Sequence, residues 1–461
     1  MSSSPLAPEI FKAYDIRGIV GKSLTPETAR KIGQALGSEA RARKQKKIVV
    51  ARDGRLSGAE LIGALSQGIA STGVDVVNIG MVPTPVLYFA THHLGTHSGV
   101  MVTGSHNPPD YNGFKMVLAG DTLSGDDIQA LKTRIENNDL KTGKGHISVA
   151  DVRESYLERI TGDIKLDRKM KLVVDCGNGV AGELAPELFR RLGCEVEELF
   201  CEIDGNFPNH HPDPSRPENL QALIDVVRSG DGVDVGLAFD GDGDRLGVVT
   251  PDGDIIWPDR QLILLARALL ADNPGGEIIY DVKCSRTVEA AILEAGGKPT
   301  MWKTGHSFIK MKLKETGALL AGEMSGHIFY QERWYGFDDG LYTAARLLEL
   351  LARDTRSPAD VFADLPDAIN TPELNIQLKE GENHAVIKKL VAAADFPNAT
   401  ITTIDGLRAD FKDGFGLVRA SNTTPVLVLR FEGDTQAALS RIQSSFRDLL
   451  QAVAPDAELP F

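Results

Sequence analysis

Apolar positions along this chain fall in short runs, and most runs stop at a polar turn built on aspartate or glycine. Residues 47–51 form one such run, followed by Arg52-Asp53-Gly54-Arg55 and a helix-patterned stretch over 57–72. Residues 74–79 and 99–103 are the next strand-like runs. Residues 172–175 lead into Cys176-Gly177-Asn178-Gly179 and a helix reaching about Leu192. Residues 278–281 lead into Val282-Lys283-Cys284-Ser285 and a helix to Ala295. The alternation of strand, turn and helix predicts layered α/β domains. Three of these strands end near an aspartate (Asp53, Asp175, Asp281), which suits either a threefold repeat of one α/β unit or the general likeness of strand-turn-helix units.

After Pro366 the texture changes. A helix is expected over 382–394, short strands over 401–404, 415–420 and 426–431, and a closing helix over 435–452. Neighbouring strands flanked by helices predict a separate, smaller α+β domain. The domains expected are therefore 1–150, 151–252, 253–366 and 367–461. Residues 204–217 are dense in Pro, Asn, His and Asp and read as a long loop, with His210 and His211 as turn residues.

The net charge of −14 over 461 residues excludes general binding to nucleic acid or anionic membranes. An anionic substrate must then be drawn by a local basic pocket. The four cysteines (Cys176, Cys194, Cys201, Cys284) lack metal-type spacing and read as free thiols in a reducing compartment. The start of the chain has no basic, apolar leader, and no apolar stretch reaches membrane-spanning length, so the expected location is the cytoplasm.

Two loops carry the chemistry. Thr103-Gly104-Ser105-His106-Asn107-Pro108 puts a serine just past a strand end, where open α/β sheets form their sites. It is no hydrolase nucleophile elbow, because Asn107 stands where the second glycine is needed. The run over 237–239 feeds Asp240-Gly241-Asp242-Gly243-Asp244-Arg245, with carboxylates at alternate positions. Carboxylate oxygens suit Mg²⁺ or Mn²⁺ rather than zinc. The calcium EF-hand is excluded, since Pro251 occupies the position of its closing glutamate and a strand, not a helix, precedes the loop. Together the loops suggest a serine that carries a phosphoryl group beside a hard cation, with the phosphoserine as a fitting further ligand.

Two more motifs complete a pattern: Gly322-Glu323-Met324-Ser325-Gly326-His327 and Arg419-Ala420-Ser421-Asn422-Thr423-Thr424-Pro425. In order and spacing the four loops resemble the signature loops of the α-D-phosphohexomutases. Glu323-Met324-Ser325 is most similar to the bacterial phosphomannomutase/phosphoglucomutase branch, since phosphoglucosamine mutases tend to carry Gln where Met324 stands. The resemblance implies an α/β fold: three similar α/β domains with mixed sheets, plus a smaller α+β C-terminal domain, around a central cleft. It implies a phosphorylated Ser105, Mg²⁺ on Ser105, Asp240, Asp242 and Asp244, and glucose 1,6-bisphosphate as activator. It further implies hexose phosphates as substrates and a monomer.

On that resemblance, Lys115 holds the phosphoryl oxygens, and Arg17, in the Tyr14-Asp15-Ile16-Arg17 stretch, and Arg245 are further clamps. His306 is a candidate proton shuttle, because histidine titrates nearest neutral pH. His106 is read as orienting the serine loop. Tyr14 and Lys283 join the substrate site. Glu323 and Ser325 offer a carboxylate and a hydroxyl for the sugar's C3 and C4 hydroxyls, which glucose and mannose share, and His327 supports that loop or touches the sugar. Arg419, Ser421, Asn422, Thr423 and Thr424 form a hydroxyl-rich loop with one cation for the non-reacting phosphate. A Mg²⁺-dependent sugar phosphatase, a silent sugar-phosphate binder and a phosphoglucosamine mutase are the competing readings. The distal phosphate loop and sugar grip count against the first. Intact Ser105, Lys115 and aspartates count against the second.

Overall fold

The computed structural model describes residues 6–379, 381–422 and 424–461. These residues form two compact units, one running to Gln261 and including Ser325–Asp364, the other combining Leu262–Met324 with Leu365–Phe461.

The first unit holds two mixed sheets. In one, the strand order is Ile16–Ile19, Tyr111–Leu118, Gly99–Val102, Lys47–Arg52, Asp75–Met81 and Ile147–Val149. Lys47–Arg52 pairs in parallel with both neighbours, while Tyr111–Leu118 runs antiparallel to Gly99–Val102 and sets Lys115 opposite Met101. Its parallel strands are almost wholly apolar, as sheets covered on both faces require. The other sheet orders Ile255–Ile256, Leu246–Val249, Val235–Phe239, Lys171–Asp175 and Glu195–Leu199, with Lys171–Asp175 parallel to both of its neighbours.

In the second unit, Glu277–Asp281 lies between Lys298–Trp302 and Leu320–Gly322, again parallel to both. The last sheet is antiparallel throughout, built on Gly414–Ala420 paired with Leu407–Phe411 and Val426–Gly433. The helices Asn383–Ala393 and Gln436–Val453 contribute Leu390, Ile442 and Phe446 to its core beside Phe431.

The three aspartates at strand ends share one geometry. In each, the carboxylate oxygen accepts the backbone N–H two residues on: Asp53 from Arg55 at 3.0 Å, Asp175 from Gly177 at 2.8 Å, Asp281 from Lys283 at 3.2 Å. Each aspartate closes the middle strand of a parallel triplet. The repeated pattern is thus a real structural repeat: an Asx turn stops the middle strand and sends the chain out of the sheet.

Two expectations change. The single helix expected up to Leu192 is a 3₁₀ turn, Val180–Glu183, followed by a helix, Ala185–Arg191. Pro186 causes the break: it has no N–H to donate and so sits in the first turn of a new helix. The C-terminal sheet also has six strands rather than three. Leu407–Phe411 is masked in the sequence by Arg408 and Asp410, which pair with each other at 2.8 Å. All four cysteines are buried free thiols. Among the described residues no helix is long and apolar enough to cross a membrane.

The helix Gly340–Arg353 begins at Asp339, whose carboxylate accepts from the Tyr342 N–H and from the Tyr156 hydroxyl, each at 2.9 Å. Burial pushes the Asp339 carboxyl up to about 7. The folded protein therefore binds a proton there that the unfolded chain releases near the ordinary carboxylate range. This contribution to stability is present at low pH and is lost as pH rises from that range through about 7. Asp339→Asn keeps the cap and removes the titration. Urea unfolding should show the variant gaining stability relative to the native protein between about pH 5 and about pH 8. A difference that does not change with pH would disprove the assignment.

Candidate functional site

The serine loop leaves the strand Gly99–Val102 and turns at once. Ser105 takes a left-handed conformation, φ 50°, unusual for a residue with a side chain and costing roughly 1–3 kcal/mol. Its N–H donates to Thr103 Oγ1 at 2.8 Å. Its hydroxyl donates to Asp240 Oδ2 at 3.0 Å and lies 3.2 Å from His106 Nδ1. Burial, then Arg245, Arg17 and Lys115, holds His106 well below the usual histidine range, so its ring is neutral. Arg17 bonds Asp15 at 2.5 Å and also donates to the Asn107 side chain. Tyr14 is half-buried one residue before Asp15.

The metal loop follows the strand Val235–Phe239. Asp240, Asp242 and Asp244 are all fully buried, and each presents a carboxylate oxygen within 4.8 Å of the others. Asp240 Oδ1 accepts the Asp244 and Arg245 N–H groups at 3.1 and 3.2 Å, which curls the loop on itself. Lys115 Nζ donates to Asp242 at 2.8 Å and to Asp244 at 2.5 Å. Burial lowers and those two carboxylates raise the Lys115 ammonium; the carboxylates win, so it stays charged. Burial, with Asp242 and Asp244 alongside, pushes Asp240 well above the usual carboxylate range. Burial works the same way on Asp244, but Lys115 and His327 hold it well below that range. Asp242 Oδ1 is buried with no hydrogen-bond partner among the described residues. Three converging carboxylates, two of them with a buried oxygen lacking a hydrogen-bond partner among the described residues, are the donor set a hard divalent cation takes.

Gly241 lets the two loops meet. A Cβ there would lie 2.4 Å from the Ser105 carbonyl oxygen. Arg245 Nε lies 3.8 Å from Asp240 Oδ2 and donates to His327 Nε2 at 3.3 Å. His327 Nε2 is 3.3 Å from Asp244 Oδ1, and its Nδ1 is 3.1 Å from Ser325 Oγ.

The second unit has its own polar cluster. Glu323 is buried, and its carboxylate accepts the Gly305 N–H at 2.5 Å. Gly305 has φ 132°, and His306 is the first residue of the helix His306–Thr316, buried, with Nδ1 3.5 Å from Ser307 Oγ. Asp281 Oδ2 accepts from the Thr304 hydroxyl at 2.8 Å, and Asp281 Oδ1 from the Met324 N–H at 3.3 Å. Lys283 Nζ bonds Glu373 at 3.1 Å. Arg419 Nε donates to Asp405 at 3.0 Å, and Asp405 also accepts the Thr304 N–H at 3.0 Å. Ser421, Asn422 and Thr424 lie on the hairpin between Gly414–Ala420 and Val426–Gly433. There the Asn383 side chain ties the Ser421 and Thr424 carbonyls at 2.9 and 3.3 Å. Thr423 lies outside the described residues.

Four family models, the phosphoglucomutase/phosphomannomutase alpha/beta/alpha domains I, II and III and the C-terminal domain, match residues 8–142, 154–253, 257–369 and 373–449 in turn. The chain belongs to the phosphoglucomutase/phosphomannomutase family. It is 57% identical to a phosphomannomutase/phosphoglucomutase of Pseudomonas aeruginosa, over 100% of this chain and 99% of that one. It is 56% identical to a phosphoglucomutase of Neisseria gonorrhoeae, over 96% and 97% of the two chains. A crystal structure of a phosphoglucomutase/phosphomannomutase family protein from Burkholderia thailandensis, 58% identical, superposes with a TM-score of 0.94 over 99% of this chain and all of that one.

Within the first unit of this family member, Arg17, Ser105, Lys115, Asp240, Asp242, Asp244, Arg245 and His327 come together. Lys115 is bound to the aspartates of the metal loop. Sequence reasoning missed Thr84, which donates to Asp242 Oδ2 at 2.5 Å and whose N–H bonds the Asp242 carbonyl at 2.8 Å. It also missed Asp338, 3.8 Å from His327, and Asp405 beside Arg419. Thr84 sits at a helix start after Pro83, with no local feature to mark it, whereas the Asp338-Asp339 doublet before a helix was a usable signal. Gly241→Ala should force the serine loop off the metal loop. It should weaken divalent-ion binding by at least tenfold in titration calorimetry, because the Cβ meets backbone that cannot move aside. Unchanged affinity would show that the contact yields freely.

Proposed function

We propose that this chain is a phosphohexomutase that interconverts the 1- and 6-phosphates of mannose and glucose through a phosphoserine at Ser105 and a 1,6-bisphosphate intermediate. The observation that carries this reading is a serine hydroxyl 3.0 Å from a buried carboxylate triad whose counter-charge is a buried lysine. The names of the relatives supply the sugar class.

In the first half-reaction the bond between phosphorus and Ser105 Oγ breaks and one forms to a sugar hydroxyl oxygen, which loses its proton. In the second, the bond from the other phosphorus to its sugar oxygen breaks, that oxygen takes a proton, and the phosphoryl group bonds Ser105 Oγ. The intermediate reverses in the site, and its other phosphate returns to Ser105. Asp240, Asp242 and Asp244, with an oxygen on Ser105, would hold Mg²⁺, whose charge eases departure of the phosphoryl group from the serine. Lys115, Arg17 and Arg245 neutralise the phosphoryl oxygens, since such transfer is mostly positioning and charge stabilisation. His106, neutral and against Ser105 Oγ, orients the serine loop. His306 serves as proton shuttle for the reacting hydroxyl.

Glu323, with Ser325 two residues on, takes sugar hydroxyls common to glucose and mannose, supported by His327, Tyr14 and Lys283. Arg419, Ser421, Asn422, Thr423 and Thr424 hold the distal phosphate, which orients a reaction at the other end of the sugar. Glucose 1,6-bisphosphate primes Ser105. The enzyme acts as a cytoplasmic monomer on hexose phosphates, without nucleic acid or membrane partners.

A phosphorus NMR time course with mannose 1-phosphate, Mg²⁺ and a trace of glucose 1,6-bisphosphate tests the reading. The 6-phosphate resonance should grow without inorganic phosphate, and Ser105→Ala should abolish that growth. Release of inorganic phosphate instead would make water the acceptor and the protein a phosphatase. Arg419→Ala should raise KM for hexose phosphate by roughly tenfold or more, the loss of one charge-assisted contact, while Mg²⁺ affinity holds. Equal losses in both would remove the distal-phosphate role.

A further inference from the structure

Arg55 is a fully buried arginine that touches none of the three loop aspartates within ion-pair distance. Its guanidinium donates to four backbone carbonyls of the serine loop and the strand that follows. They are Ser105 at 2.8 Å, Asn107 at 2.5 Å, Pro108 at 2.5 Å and Tyr111 at 2.9 Å. Asp53 neutralises it, Oδ2 lying 3.3 Å from Arg55 Nε. The same Asp53 oxygen accepts the Thr103 hydroxyl at 2.8 Å and the Gly104 N–H at 3.1 Å. The pair therefore grips the loop before and after the serine.

The surroundings are built for this arginine. A Cβ on Gly104 would lie 2.4 Å from Arg55 Cζ and Nε, so only glycine lets the guanidinium pass beneath the loop. On another side the Phe207 ring, from the Pro-rich loop, lies 5.2 Å from Arg55 Cζ. The same loop reaches the metal loop, where the Gly241 N–H donates to the Pro212 carbonyl at 3.2 Å. A planar fork with five donors reaches four carbonyls spread around it; an ammonium has only three donors on one compact centre.

We infer that Arg55, set by Asp53 and sealed by Phe207, is a positioning residue that holds Ser105 in its left-handed conformation so that its oxygen faces Asp240 and phosphoryl transfer stays in line. This rests on the reading of Ser105 as the phosphoryl carrier. Arg55 acts only through backbone carbonyls of the serine loop and the strand after it. Its loss should slow transfer and leave substrate and metal binding intact, since a shift of about 1 Å in a reacting group costs about a hundredfold in rate.

The test compares full-length native protein with Arg55→Lys by mutase kinetics, calorimetric titration with Mg²⁺, and mass-spectrometric detection of phosphate on Ser105. The expected result is a kcat about a hundredfold lower, with KM and Mg²⁺ affinity within about twofold of native. A native kcat in the variant overturns the inference, as does a matching fall in Mg²⁺ affinity, which would mark general collapse of the site. If Arg55→Lys does not fold, Asp53→Asn and Phe207→Ala decide between the same outcomes, each expected to lower kcat alone. Native protein without phosphate on Ser105 and without mutase turnover would instead sink the phosphoserine reading itself.

Discussion

The first unit is organised around a concentration of negative charge that water cannot reach. Asp240, Asp242 and Asp244 are buried within 4.8 Å of one another. Isolated, each would cost several kcal/mol to bury as an anion. What makes the cluster tolerable is the set of cations and donors that surrounds it: Lys115 from an antiparallel strand, Arg245 from the loop itself, Thr84 from a helix start. Those partners come from separate elements, so the sheet order and the antiparallel placement of Tyr111–Leu118 are conditions for the site. A strand slipped by one residue would turn Lys115 to the opposite face.

Much of this was legible in the sequence. Alternating aspartates and glycines after an apolar run state a metal loop almost outright, and a Gly-framed serine past a strand end marks a reactive position. The parallel strands stood out because sheets covered on both faces read as unbroken apolar runs. Thr84 stayed hidden because its role depends on a contact with Asp242, far along the chain, and nothing local distinguishes it from any threonine before a proline. Arg55 stayed hidden for a related reason: in sequence it is one cation in a polar turn, and only the fold reveals four carbonyls around it. The strand Leu407–Phe411 was concealed by charges that pair within it. The third and fourth signature loops were found from motif likeness, yet their anchors stand elsewhere in the chain: Asp281 accepts the Met324 N–H, and Asp405 pairs with Arg419 and accepts the Thr304 N–H.

Backbone carbonyls and N–H groups do an unusual share of the positioning. Asp240 Oδ1 binds two N–H groups of its own loop, Arg55 binds only carbonyls besides Asp53, and Glu323 binds the Gly305 N–H. Side chains that grip backbone fix a loop's path regardless of which side chains that loop displays. The reactive groups are then free to differ in chemistry without disturbing the frame that carries them.

The Asx turn that ends the middle strand of each parallel triplet gives this freedom a physical basis. Asp53, Asp175 and Asp281 perform the same local task beside three loops of different character: one bearing a serine, one bearing carboxylates, one bearing a glutamate. The turn is the socket, and the neighbouring loop is what has been plugged in. With the turn held constant, each sheet carries a different chemistry at its rim while its apolar interior obeys the same packing constraint. Division of labour among the three sheets then rests on residues at strand tips, where substitutions are cheapest to the core.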